Sequence, residues 1–362
     1  MLARSPFVND LIPLILDANH NWWTRDYVVL SSVSSPWLYH TRKRLYPCPT
    51  VYSFRAAVLL AATLSGSPLL ASLVEGISLQ PIIQDLQSHR PQPAELRALR
   101  YLLGLEGLHR IALGGELAVK AERFLRLIAN PDEVEELHID GSIISHRLSS
   151  SASLEWDESL AFGFPSLNKL RLTHIELDII PPSMPYITSI TQLILDNIHI
   201  IDGYLLNLVN GAKSLDRLHV TTSDPDVFGE ELRLVLTSCA VRCLHYEAQK
   251  VNKADPFVVH IVPTNAASLR CLHLHGLFVD LAVLTVVNDI CLNLVELTIS
   301  GRAMRISPQE WADFIRSGAF SSLQRLSLPW GTNGPPFLTW PESDIKNIQE
   351  ACASRTISLS LR

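Results

Sequence analysis

Charge is scarce in this chain. Only 18% of its 362 residues are Asp, Glu, Lys or Arg, against about 25% in an average globular protein, while 47% are hydrophobic. Such a balance sends much of the chain into an interior. Basic residues are scarcer than acidic ones, 30 against 36, for a formal net charge of -6. No extended stripe of Lys or Arg is present. That argues against nucleic acid as a partner, because neutralising phosphates requires such a stripe. Long apolar runs are missing too. The longest, "AAVLLAATL" from Ala56 to Leu64, falls far short of the roughly 20 residues that span a bilayer. "MLARSPFVNDL" lacks the apolar stretch of a secretory signal. The expectation is a protein without a membrane partner, cytoplasmic or nuclear, whose six scattered cysteines stay reduced.

Signatures of catalysis are absent as well. There is no G-x-x-x-x-G-K-[ST], no G-x-G-x-x-G behind a strand, no H-E-x-x-H and no G-x-S-x-G. Cys239 and Cys243 with His245 suggest a metal at first sight. Cys239, however, precedes a strand on which Cys243 and His245 are simply alternate residues, and no second ligand pair follows at zinc spacing. Linear spacing therefore predicts no enzyme, no metal site and no cofactor.

What the chain does have is a recurring leucine pattern. "SLRCLHLHG", Ser268 to Gly276, spaces its leucines three and then two apart, at Leu269, Leu272 and Leu274. A spacing of two is the side-chain period of a strand, so Leu272 and Leu274 share one face while Cys271, His273 and His275 take the other. The pattern returns with its first strand leucine at Leu137, Leu170, Leu193, Leu218, Leu244, Leu272, Leu297, Leu326 and Leu359, spaced 23 to 33 residues apart. "LHRIAL" from Leu108 and "VEGISL" from Val74 extend it toward the N-terminus.

Between the strands the apolar period becomes helical. It is clearest in "SPQEWADFIRSG", where Ser307 and Glu310 make a capping box, Pro308 takes the first helical position, and Trp311, Phe314 and Ile315 form one apolar face. "DGYLLNLVNG" from Asp202, "VFGEELRLVL" from Val227 and "ELAVKAERFLRLIANP" from Glu116 read as helices with weaker caps. A unit of strand, turn and helix, repeated about ten times, cannot close its own core and must stack on its neighbours. The predicted fold class is α/β, a solenoid with a parallel concave sheet over residues 61–362, preceded by a small α-helical module over residues 1–60. The serine-rich "SSSASLEWDES", Ser149 to Ser159, reads as a solvated loop.

From about Leu70 to Arg362 the chain resembles the leucine-rich repeat family in its irregular form. Ile175, Ile198 and Leu277 stand where regular repeats carry an asparagine, which implies turns of uneven shape.

Residues 5–46 are not a repeat. Leu11, Ile15 and Leu16, then Val29, Leu30 and Val33, then Trp37 and Leu38 imply three short amphipathic helices. The segment resembles an F-box: Phe7, Asp10, Leu11, Ile15 and Leu16 fall on the first part of that pattern, and Leu30, Val33, Ser34 and Trp37 on the second. "SPLLASLVEGISL" from Ser67 also looks like the junction between box and first repeat in fungal F-box proteins. The resemblance implies a substrate receptor of a cullin-based ubiquitin ligase. Phe7, Asp10, Leu11, Ile15, Leu16, Leu30 and Val33 would bind the Skp-type adaptor, with Trp37 as the module's anchor. The alternative is a leucine-rich-repeat scaffold for protein-protein interaction, its N-terminal helices serving only as a solenoid cap.

The residue between the two strand leucines faces the concave side, and these positions read His138, Arg171, Ile194, His219, His245, His273, Thr298 and Ser327. His219, His245 and His273 fall on consecutive strands about 4.8 Å apart and should form one column. With Arg171 they are the candidate surface for a protein substrate, flanked by Arg217 and Glu247. Binding would then respond to pH near the ordinary histidine range.

Overall fold

A computed structural model describes residues 6–19, 21–82, 92–145, 151–184, 187–209, 215–249, 267–301, 306–329 and 339–361. It is an α/β structure built on one large parallel sheet. In chain order the strands are β1 (Thr50–Val51), β2 (Gly76–Leu79), β3 (Arg110–Gly114), β4 (Glu136–Asp140), β5 (Ser153–Trp156), β6 (Lys169–Thr173), β7 (Glu176–Ile179) and β8 (Gln192–Asp196). They continue with β9 (His199–Asp202), β10 (Leu215–Thr222), β11 (Val241–Ala248), β12 (Cys271–His275), β13 (Glu296–Ser300), β14 (Arg325–Leu328) and β15 (Ser358–Leu361). Twelve of them form the sheet, in chain order with β5, β7 and β9 left out: β1-β2-β3-β4-β6-β8-β10-β11-β12-β13-β14-β15.

The register explains the leucine pattern. Leu137, Leu170, Leu193, Leu218, Leu244, Leu272, Leu297, Leu326 and Leu359 are paired strand to strand as one unbroken row. All but Leu359 are buried. Full burial of a leucine contributes about 1.5–3 kcal/mol, so the row is a continuous source of cohesion along the sheet. The helix Pro308–Arg316 has the capping box expected of it, with Ser307 and Glu310 bonded reciprocally and Trp311 and Ile315 buried.

Turns after the strands are more alike than the missing asparagine implies. His174, Asn197, Gly276 and Gly301 each follow a strand directly, and all have positive φ. The amides of His174, Asn197 and Gly276 donate to Asp196, Thr221 and Ser300 carbonyls on the next strand. Backbone amides thus extend the ladder into the turn. Glycine is required at 276: its φ is +71°, and a Cβ there would lie 2.1 Å from the Ala248 carbonyl oxygen.

Several expectations fail for local reasons. The serine-rich stretch is no loop over its second half. Leu154 and Trp156 are buried in β5, which pairs with β7, and β7 with β9, in a second parallel sheet of three strands. Ser153 and Glu155 alternate with them at strand period, a signal masked by the polar composition; Ser149 and Ser150 lie outside the described residues. The segment from Glu116 is not one helix but a 3-10 turn, Gly115–Ala118, and a short helix, Glu122–Leu125, separated at Lys120 with φ +56°. After Asp202 the chain makes only a 3-10 turn, Leu205–Leu208.

The N-terminal part has three helices, α1 (Pro6–Ala18), α2 (Thr24–Ser31) and α3 (Ser35–Leu45). Ile12 and Leu16 are buried among them, yet neither belongs to the core shared by the sheet. A fourth helix, α4 (Phe54–Ser65), does belong: Phe54, Ala57, Ala61 and Leu64 join that core. A boundary at residue 60 therefore falls inside α4, and the sheet-bearing part reaches back to β1. Among the described residues no helix is long and apolar enough to cross a membrane.

Candidate functional site

Strand alternation puts three residues from each of β10, β11 and β12 on the face opposite the leucine row. They are Arg217, His219 and Thr221; Cys243, His245 and Glu247; Cys271, His273 and His275. Register makes this a grid, with His219 beside His245 beside His273, Cys243 beside Cys271, and Glu247 beside both Thr221 and His275. The identical R-C-L-H strings at Arg242–His245 and Arg270–His273 are the sequence signal for the paired thiols.

The rings meet as their positions require. His219 and His245 stack with centroids 4.0 Å apart and planes 24° from parallel, and His245 and His273 lie 5.6 Å apart at 56°. His219 Nε2 has the Thr221 hydroxyl at 3.4 Å. Glu247 reaches between two rings, with Oε2 3.9 Å from His245 Nε2 and Oε1 3.9 Å from His275 Nε2. His275 Nδ1 is 2.7 Å from the Ser300 hydroxyl. Glu296 Oε1 is 3.2 Å from His273 Nε2, but that buried nitrogen makes no well-aligned hydrogen bond. The other oxygen of Glu296 lies 2.5 Å from Arg325.

Burial works against the charged form of His219 and His245. It pushes His245 down to about 4, with His219, His273 and His275 adding to the effect. His219 is lowered by burial, against the pull of Glu247 and Asp196 and with help from Arg171 and Arg217. His138, two strands beyond Ile194 in the same row, is lowered by burial and then by Arg171. Burial and its Cys271 neighbour push the Cys243 thiol up to about 11. The protonated imidazolium at His219 and His245 and the thiolate at Cys243 are thus disfavoured on this face. The expected response to pH in the ordinary histidine range does not hold at His245, whose change of charge is moved well into acid.

Of the four residues expected on the substrate surface, the three histidines are contiguous. Arg171 is not, because Ile194 on β8 stands between it and His219. A separate cavity of about 470 Å³ lies past the ends of β8 and β10, lined in part by Asn197, Tyr204, Phe228 and Glu231. Burial raises Glu231, which accepts the Leu205 amide at 2.7 Å and so serves the turn that begins there.

The expected adaptor residues divide as well. Leu11, Ile15 and Val33 are exposed, Asp10 is exposed and Leu30 is half-buried. Leu16, 3% exposed, is committed to the interior of its own module and is not available to a partner. Phe7 is in α1, with its side chain outside the described residues. Trp37 is half-buried, a shallower anchor than expected. Leu14 and Val28, which the spacing did not single out, are 63% and 57% exposed. Against models of known protein families and against curated proteins, the chain matches none.

Proposed function

We propose that this protein is a non-catalytic substrate receptor of a cullin-based ubiquitin ligase. Helices α1 to α3 act as an F-box-like module and the strands as an irregular leucine-rich-repeat solenoid whose polar sheet face holds a protein substrate. The observation that carries the reading is the surface of α1 and α2. Leu11, Leu14, Ile15, Val28 and Val29 are exposed on the two helices and Val33 on the turn that follows α2, apolar surface of the kind that marks a protein-protein interface. Adaptor contact falls to Leu11, Ile15 and Val33, with Leu14 and Val28 beside them, while Leu16 holds α1 in place.

The cap-only alternative is less economical. β1 and α4 already close that end of the sheet, and the buried residues of α1 and α3 stand outside its core. A cap has no reason to leave so much apolar surface in water.

Co-purification of the full chain with a Skp-type adaptor from its own organism is the test. A stable complex that is lost in a Leu14→Asp, Val33→Asp variant, with the sheet still folded, is the expected result. A folded full chain that binds no such adaptor refutes the receptor role and leaves a scaffold.

A further inference from the structure

We infer that the face of β10 and β11 is a binding site for a divalent transition-metal cation of the zinc class, held by His219, His245 and Glu247. This inference does not rest on the receptor reading. Its ground is geometric: one donor atom from each of the three residues lies within 4.8 Å of the other two. Two ligands bound to one tetrahedral zinc at about 2.0–2.1 Å stand roughly 3.3 Å apart. The remaining gap is of the size that side-chain rotation spans.

Each donor is also open to the role. His245 has no hydrogen bond to its ring among the described residues, and its closest carboxylate is Glu247 at 3.9 Å. The His219 ring, stacked on His245, has a hydrogen-bond-range contact to the Thr221 hydroxyl at 3.4 Å.

Two imidazoles and one carboxylate are a borderline-soft set that suits zinc and excludes the all-oxygen preference of magnesium or calcium. Three protein ligands leave a fourth position, which a water or a side chain of a bound protein can fill. The set is invisible to linear spacing because His219 comes from the neighbouring strand, 26 residues before His245.

The test is direct titration of the full chain, stripped with chelator and kept reduced, with Zn2+ alone, followed by calorimetry and by histidine side-chain NMR. Saturation at one zinc per chain is expected, with the His219 and His245 ring signals moving and that of the exposed His109 unmoved. His219→Ala, His245→Ala and Glu247→Gln should each weaken binding at least about tenfold. Cys243→Ser with Cys271→Ser should leave it unchanged, and Mg2+ should not compete. The ring signals are read on the unaltered chain, so the outcome stands even if a variant fails to fold. Absence of saturable binding, zinc affinity that survives loss of both histidines, or binding that disappears with the two thiols would each overturn the assignment. Adaptor binding does not enter the measurement, so its failure and that of the receptor role are separable.

Discussion

The N-terminal helices and the sheet use the same apolar residue types to opposite ends. In the sheet, leucines from consecutive strands meet in one row and are sealed from water. In α1 and α2, leucines and valines of equal size stand in solvent around an interior that includes Ile12 and Leu16. The difference follows from how each part closes. Each strand of the large sheet pairs in register with the next, so the leucines of the row find partners of the same shape within the chain. Three short helices have no such neighbour, and what they cannot bury is left for something else to cover.

The largest effect expected from breaking this contrast is in the leucine row. Leu272→Ala should cost about 2–5 kcal/mol in urea unfolding, because neighbours locked in register on both sides cannot collapse into the gap. A cost no greater than that of an exposed leucine would show that the row is loosely packed. Gly276→Ala comes next. Its positive φ and the close Ala248 carbonyl predict a loss of about 1–3 kcal/mol, measured the same way. A neutral result would mean that the turn relaxes freely.

A smaller effect should come from acid. His245 has a folded value of about 4 against 6.5 in the unfolded chain. Between these limits the unfolded state binds more protons, so stability is full above pH 6.5 and falls as pH drops toward 4. The ring is about one-third exposed. Allowing for that screening, the loss is about 1–2 kcal/mol. Chelator-treated His245→Ala should show a flatter profile over that window, and an unchanged slope would assign the acid response elsewhere.

The smallest effect belongs to the module surface. Leu14→Ser and Val33→Ser should change stability by no more than about 0.5 kcal/mol, yet weaken adaptor binding at least about fivefold. If unfolding shifts as much as for Leu272→Ala, the patch is interior to something and the contrast between the two regions fails.

Much of this was legible in the residues. Period two in nine stretches put Leu137 through Leu359 on one face and His219, His245 and His273 on the other, because consecutive strand side chains must alternate. Helix Pro308–Arg316 was equally plain, since its cap and apolar face are local. The helix expected from Glu116 was not realised: its apolar spacing is helical, but the chain breaks at Lys120. Strand β5 was obscured by serines, although Leu154 and Trp156 keep the strand period.

The sequence by itself settled which face of its strand each residue occupies, a matter of covalent geometry and chirality. Only the tertiary structure decided which faces meet. It sets the 4.0 Å stack of His219 on His245 and the reach of Glu247 between two rings. It also places Ile194 between Arg171 and the histidines. Those contacts depend on the register between strands more than 20 residues apart, and register comes from packing the leucine row, not from any property of a single strand.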